Sequence, residues 1–220
     1  MISISISDRL KNKCPNIALG IIDFKCIVSE KNEQFWDLFI SCISKLQLEI
    51  KDKSIKEIEE ILSGRNAYKI LGRDPDRYAL SSEALLKRVK SGKDMYQINS
   101  LVDINNFISL NYFYSLGLYD LDKVAGDVLF DFGNTNEQYE SLAKGLFDVT
   151  NLPIFRDSIS GFGSPTSDSK RTCITLETTK ASMIIISFNG QEKLSACIAF
   201  SIDILIKYAK VREIQSKIIV

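Results

Sequence analysis

Val102-Asp103-Ile104-Asn105-Asn106, followed by Gly117-Leu118-Tyr119-Asp120-Leu121-Asp122-Lys123-Val124, sets carboxylates and carboxamides among apolar side chains. Polar groups in such surroundings need hydrogen-bonding partners or a chemical task. Residues 100 to 116 read as a helix carrying Val102, Ile104, Phe107, Ile108 and Leu110, which puts Asp103 and Asn106, three apart, on one face. Downstream, Val128 to Phe132, Leu152 to Phe155, Cys173 to Glu177 and Met183 to Phe188 have strand lengths and β-rich composition, separated by Gly, Asn, Ser and Asp turns. Within Cys173 to Glu177, alternation puts Cys173, Thr175 and Glu177 on one face and Ile174 and Leu176 on the other.

Upstream of that stretch, Asn16 to Val28 opens after Pro15 and is dense in Ile, Phe and Val, the composition of a buried strand. Phe35, Leu38, Phe39, Cys42, Ile43 and Leu46 recur at three and four, which predicts an amphipathic helix over Asn32 to Glu49. A second helix is expected over Ile55 to Leu62. The Gly72 to Leu80 stretch reads as a loop, with Ser81 or Ser82 capping a helix over Glu83 to Val89 that stops near Gly92. Gln191 to Ala209, apolar on most sides, predicts a largely buried helix, and Ile218 to Val220 a last edge strand. Helices first and strands later give an α+β domain. A chain of 220 residues with 45% hydrophobic composition buries a substantial core, and one domain over residues 1–220 is expected, with a mixed or antiparallel β-sheet, or a partly open barrel, packed with helices.

Lys and Arg total 28 and Asp and Glu total 28, so net charge points to no nucleic-acid partner and local clustering must carry that argument. Residues 65 to 93 hold eight basic side chains, among them Arg65, Lys69, Arg73, Arg77 and Arg88, against three acids. Residues 117 to 157 reverse the balance with eight acids against three bases. A basic face of this kind tracks a phosphate backbone, and it equally describes solvated helix faces. Five scattered cysteines argue against a disulfide framework and a clustered zinc site, and fit a reducing cytoplasm. Met1 to Asp8 alternates Ile and Ser without a basic start and is not a signal peptide; polar residues interrupt every apolar stretch, so no membrane span is expected. The chain has no histidine, so any catalysis falls to carboxylates, hydroxyls, backbone amides or the substrate.

Taken with Arg65-x-x-Tyr68-Lys69-x-Leu71-Gly72-x-Asp74-Pro75 and Phe162-Gly163-Ser164-Pro165-x-x-Asp168-Ser169-x-Arg171-Thr172, the opening stretch resembles the B3/B4 domain of the phenylalanyl-tRNA synthetase β subunit, which edits mischarged tRNA. The resemblance covers roughly residues 65 to 180, and Ser81-Ser82-Glu83-x-Leu85-Leu86-x-Arg88 looks more like the stand-alone proteins of this type. It implies a tRNA-binding domain that hydrolyses mischarged aminoacyl-tRNA in trans, without a cofactor or metal. Asp157, Gly163, Thr172 and Glu177 fall where the synthetase domain has its aspartate, glycine-rich loop, threonine and pocket glutamate. By resemblance, Glu177 reads the hydroxyl of a wrongly attached tyrosine, with Asn106, Asp103 and Asp120 also binding substrate. Gly163, Ser164 and Thr175 are the candidates nearest the chemistry, the amides of Gly161 to Ser164 serving as oxyanion donors. Arg65, Lys69, Arg73, Arg77 and Arg88 are the expected RNA contacts. One departure stands out: where the synthetase has a histidine, this sequence has Gly117.

Each residue also has a quieter reading. Asp103 and Asn106 would cap the helix and tie it to the next strand, Asp120 would pair with Arg65 or Arg88, and Glu177 would face solvent. Asp120, Asp157 and Asp168 at these spacings are a weak metal signal. A non-catalytic protein holding a free amino acid or a tRNA end, and a pure interaction module, are the competing functions.

Overall fold

The computed structural model describes residues 1–220. In chain order its elements are β1 (Ile4–Ile6), α1 (Asp8–Lys13), β2 (Ala18–Lys25), α2 (Glu33–Ile50), α3 (Glu59–Ile70), α4 (Ser81–Lys90), α5 (Ser100–Tyr112), β3 (Ser115–Asp120), β4 (Val128–Phe132), β5 (Gln138–Ser141), β6 (Gly145–Asp148), β7 (Pro153–Arg156), β8 (Gly161–Gly163), β9 (Lys180–Ser187), α6 (Leu194–Tyr208) and β10 (Arg212–Ile219). Single 3-10 turns cover Ile55–Glu57 and Leu121–Lys123. The fold is α+β with mixed pairing and no closed barrel.

The apolar density of β2, interrupted by Gly20 and a buried Asp23, reflects burial on both faces. Strand order β10-β2-β9-β3 forms a four-stranded antiparallel sheet, and β1-β4-β7-β8 a four-stranded mixed one in which only β1 and β4 run parallel. Ala18, Ile22 and Phe24 of β2, with Met183, Ile185, Leu116 and Leu118, face the helices α2, α4, α5 and α6 in the larger core. Leu19 and Ile21, with Ile184, Ile186 and Tyr119, face the other sheet's Ile4, Ile6, Phe130, Phe155 and Phe162 in the smaller one. Alternation with period two thus divides one sheet between two cores. The Ile-Ser start becomes β1, with Ile4 and Ile6 buried and Ser5 exposed.

Several boundaries depart from the sequence pattern. The second helix starts at Glu59 and runs on to Ile70, the residues before it forming the 3-10 turn. Neither Ser81 nor Ser82 caps α4: the Ser81 amide donates to the Pro165 carbonyl at 2.7 Å, and the Ser82 hydroxyl pairs with that of Ser115 at 3.2 Å. α5 ends at Tyr112 because Phe113 turns left-handed at φ 63°, so residues 115 and 116 begin a strand instead of extending the helix. Residues 173 to 177 are no strand. A turn at Leu176 and Glu177 is closed by Thr178, whose hydroxyl accepts from the Thr175 amide at 3.0 Å while its amide donates to the Thr175 carbonyl at 3.2 Å. The last helix, α6, fully buries one stripe, Leu194, Cys197, Ile198, Ser201 and Leu205, flanked by half-buried Phe200, Ile202, Ile204 and Tyr208, and leaves the face with Ser195, Ala199, Asp203, Ile206 and Lys207 open to solvent. The last strand begins at Arg212, six residues earlier than its apolar tail suggests, and lies at the sheet edge.

Candidate functional site

The face of α5 carrying Val102, Asn105, Asn106 and Ser109 repeats at three and four residues and looks onto a cavity of about 430 Å³. Leu116 and Leu118 of β3 form its floor, Leu142 and Ala143 of the β5–β6 turn and Ser81 and Leu85 of α4 contribute walls, and Asp168, Cys173 and Ile174 come from the loop between β8 and β9. The lining is mostly apolar, with the carboxamides of Asn105 and Asn106 and the carboxyl of Asp168 as its principal polar groups. The size and mixture match small-molecule sites. Asn105 Oδ1 is buried without a hydrogen-bond partner, an arrangement that native interiors rarely keep.

Local structure holds α5 in place at its entry. Asn99 Oδ1 accepts the amides of Leu101 and Val102 at 3.1 and 3.0 Å, a side-chain cap. Asp103, only 2% exposed, accepts the Ile98 amide at 2.9 Å. Burial pushes the Asp103 carboxyl up to about 6 against the pull of the Ile98 and Asn99 amides. It secures the helix start and does not line the cavity, so Asp103 and Asn106 do not share the site. Asn106 lines it.

Asp168 is held from behind. Its Oδ1 accepts the Tyr119 phenol at 2.8 Å, and burial pushes the carboxyl up to about 7, countered by the phenol and the Ser164 amide. Tyr119 is fully enclosed: an added Cβ at Gly163 would lie 2.1 Å from its Oη, and one at Gly117 2.2 Å. The phenol therefore lies between two glycines of different sheets, and a histidine at position 117 would have no room while Tyr119 occupies this place. Ser164 Oγ accepts the Ser167 amide at 3.1 Å and donates to its carbonyl at 3.0 Å, closing a turn. Gly163 and Ser164 thus pack around Tyr119 and Asp168, outside the cavity lining.

The remaining candidates lie elsewhere. Asp120 is buried, accepting the Thr178 hydroxyl at 2.8 Å and the Asp122 amide at 3.1 Å with Lys123 Nζ at 3.2 Å; it anchors the 171–179 loop and pairs with neither Arg65 nor Arg88. Thr175 sits in that loop turn, and Glu177 is exposed with its carboxyl held low by the Thr175 hydroxyl. Neither lines the cavity. Asp157 is clasped by Arg171 at 2.9 Å, and Asp120, Asp157 and Asp168 are not gathered as metal ligands.

The basic block divides as well. Arg65 is 5% exposed and turned inward, with Glu83 at 2.9 Å and Asp76 at 2.7 Å, so its guanidinium is occupied within the fold. Arg73 lies over the Tyr78 ring at 4.0 Å and pairs with Asp148 at 2.8 Å. Arg88 lies over Tyr96 at 3.9 Å. Lys69 and Arg77 are exposed and make no salt bridge.

Sequence reasoning passed over Asn105 and Ser109 as site residues, and met Asp168 only within the family motif and as a weak metal signal. The period that makes α5 a helix also marks 102, 105, 106 and 109 as one face, a signal that finds the first two. Nothing local marks Asp168, which meets Tyr119 across 49 residues of chain.

No curated protein matches the chain. Among solved structures, an N-terminal fragment of the phenylalanyl-tRNA synthetase β subunit from Pyrococcus horikoshii aligns at 12% identity with a TM-score of 0.49, covering 99% of this chain and 50% of that one. The chain therefore spans about half the length of that fragment. The family model for the B3/4 domain matches residues 63–210, which takes in the cavity and every element that lines it: the chain belongs to the B3/4 domain family.

Proposed function

We propose that this protein binds aminoacyl-tRNA, receives the amino acid in the cavity beneath α5, and hydrolyses the ester of a wrongly attached residue in trans, in the cytoplasm. The observation that carries the reading is the cavity itself: an apolar chamber of about 430 Å³ with Asn105, Asn106 and Asp168 on its walls, in a B3/4 domain. An aromatic or aliphatic side chain gains from burial against Leu116, Leu118 and Ile174, while the carboxamides orient its polar end. Lys69 and Arg77, exposed and without ion pairs, are the first candidates for phosphate contact, Arg77 lying 5.6 Å over the Tyr78 ring and Arg73 and Arg88 presenting guanidinium planes stacked on tyrosines.

Deacylation of a panel of mischarged tRNAs, beginning with tyrosyl-tRNA(Phe), tests the reading. The wild-type protein should release amino acid above background, and Val102→Trp, which fills the cavity from α5, should abolish release while leaving tRNA affinity within a few fold. Binding should weaken steeply with salt, and Lys69→Glu with Arg77→Glu should flatten that slope by about one unit per lost phosphate contact. Loss of ester unchanged by Val102→Trp would move the site elsewhere. A second reading, binding of the aminoacyl end or a free amino acid without turnover, draws on the scarcity of titratable groups: only Asp168 and Cys173 line the cavity. Tight binding of tyrosyl-tRNA(Phe) with no deacylation would establish it.

A further inference from the structure

Resting on the hydrolytic reading, we infer that Asp168 is its proton-handling catalytic residue, the carboxylate that takes a proton from the attacking water and returns it to the leaving ribose oxygen. Three observations place it in that role. Asp168 is the one carboxyl on the cavity wall. Its Oδ1 is committed to the Tyr119 phenol at 2.8 Å, which fixes the plane of the carboxyl, while Oδ2 has no side-chain partner. That phenol is itself immobilised between Gly117 and Gly163, so a rigid support stands behind the group, as proton transfer at fixed geometry requires.

The surrounding charges favour a carboxyl that titrates near neutrality. No lysine or arginine lines the cavity, and Cys173 is its only other titratable group. Behind Asp168, Tyr119 on β3 and Tyr139 on β5 are both pushed far up by burial and stay neutral donors. With no cation to hold it low, burial lifts Asp168 to about 7. A histidine-free chain thereby acquires a base poised at the working pH, the condition under which such catalysis is efficient.

The chemistry balances without a co-reactant. As the water oxygen adds to the ester carbonyl carbon, its proton passes to Asp168 Oδ2. Collapse of the tetrahedral adduct breaks the bond between that carbon and the terminal ribose oxygen, which receives the proton from Asp168. The freed amino acid leaves as a carboxylic acid that ionises in water.

The test measures deacylation of tyrosyl-tRNA(Phe), or whichever mischarged tRNA of the panel is turned over, against pH, corrected for spontaneous hydrolysis. The base must be deprotonated, so kcat/KM should rise with pH to a plateau with its midpoint near 7. Asp168→Asn keeps an acceptor for Tyr119 but cannot take a proton. It should lose about 10²-fold or more in kcat and lose the pH midpoint, with binding of a 3′-amide-linked tyrosyl-adenosine unchanged within a few fold. Tyr119→Phe removes a donor that favours the charged carboxylate, so the midpoint should move up while a plateau is still reached. Wild-type turnover with an unchanged rate and profile in Asp168→Asn would overturn the role of Asp168 and leave the hydrolytic reading standing. A Tyr119→Phe midpoint fixed in place would also count against it. No turnover of any tRNA by the wild type would overturn both.

Discussion

Glu83 and Asp168 are both enclosed carboxyls, and the structure treats them oppositely. Glu83, 0% exposed, meets Arg65 at 2.9 Å and Lys87 at 2.7 Å where α3 packs against α4. Asp168 has no cation beside it, only a phenol and an amide, and one side of it looks into open space. The first arrangement cancels charge and closes; the second leaves charge uncompensated and accessible. A buried charge without a partner is costly, and groups left in that state with a cavity in front of them mark sites of chemistry.

The sharpest way to break this contrast is to make Glu83 resemble Asp168. Arg65→Met removes the buried guanidinium and leaves Glu83 with Lys87 alone. A loss of about 3–5 kcal/mol is expected for an orphaned buried charge, read from urea unfolding. Little or no loss would mean that the pair does not hold the α3–α4 contact. The same result decides what the basic block is for. Arg65 acts within the fold, and a deacylation defect in Arg65→Met should disappear once rates are scaled to the folded fraction.

A smaller loss should follow from disturbing the support behind Asp168. Gly163→Ala forces a Cβ against the Tyr119 ring, which Gly117 prevents from retreating. Overpacking of this kind costs about 1–3 kcal/mol, visible as a lowered Tm. It should also disturb the pH midpoint of turnover, because the phenol that fixes Asp168 must move. A stable Gly163→Ala protein with an unaltered profile would show that β8 and Tyr119 tolerate rearrangement independently of the site.

Much of the fold was legible. The burial of β2, the period of α2 and the limits of β4 are all written locally, because each residue's neighbours in sequence are its neighbours on the element. What was illegible rests on tertiary partners. Phe113 takes the left-handed turn that ends α5 although nothing in Tyr112-Phe113-Tyr114 marks a break. Residues 173 to 177 have strand composition, yet Thr178 and Asp120 hold them as a loop, 58 residues separating those two partners. The site shows the same division. Asn106 stood out as a carboxamide in an apolar stretch, whereas the cavity it lines is assembled from five separate segments and its carboxyl arrives from a loop.

Asp168 should carry a signature in stability as well as in rate, smaller than either loss above. Its folded-state value, about 7, lies above the ordinary 3.8, so the native protein binds the proton more tightly than the unfolded chain does. Stability is therefore greatest when both forms are protonated and falls as pH rises from about 4 through 7. Asp103, raised to about 6, adds to the decline over the lower part of that window. Asp168→Asn removes one source. Its stability relative to wild type should improve between pH 5 and pH 8, by something on the order of 1 kcal/mol. A parallel pH dependence in the two proteins would mean that Asp168 is solvated enough to titrate normally. Gained stability with lost turnover is the trade expected where a site keeps an uncompensated group for its chemistry.

Glu177 should show the smallest effect, and it tests whether resemblance or geometry locates the specificity of this domain. By resemblance alone it would read a substrate hydroxyl, yet here it stands exposed on a turn that β pairing does not reach, its carboxyl engaged by Thr175. An exposed carboxylate pays little to remain charged and gives little discrimination, because water competes for every hydrogen bond it offers. Glu177→Ala should therefore change stability by less than about 0.5 kcal/mol and leave the ratio of tyrosyl- to phenylalanyl-ester hydrolysis within about twofold. Asn106→Ala, which removes a carboxamide from the cavity wall, should change that ratio more, since a site that loses a partner for a substrate hydroxyl discriminates by the unpaired group it leaves behind. If the order is reversed, the 171–179 loop must close over the bound amino acid and bring Glu177 to it, and the contrast between a closed carboxylate and an open one would have to include a third that becomes enclosed only with substrate.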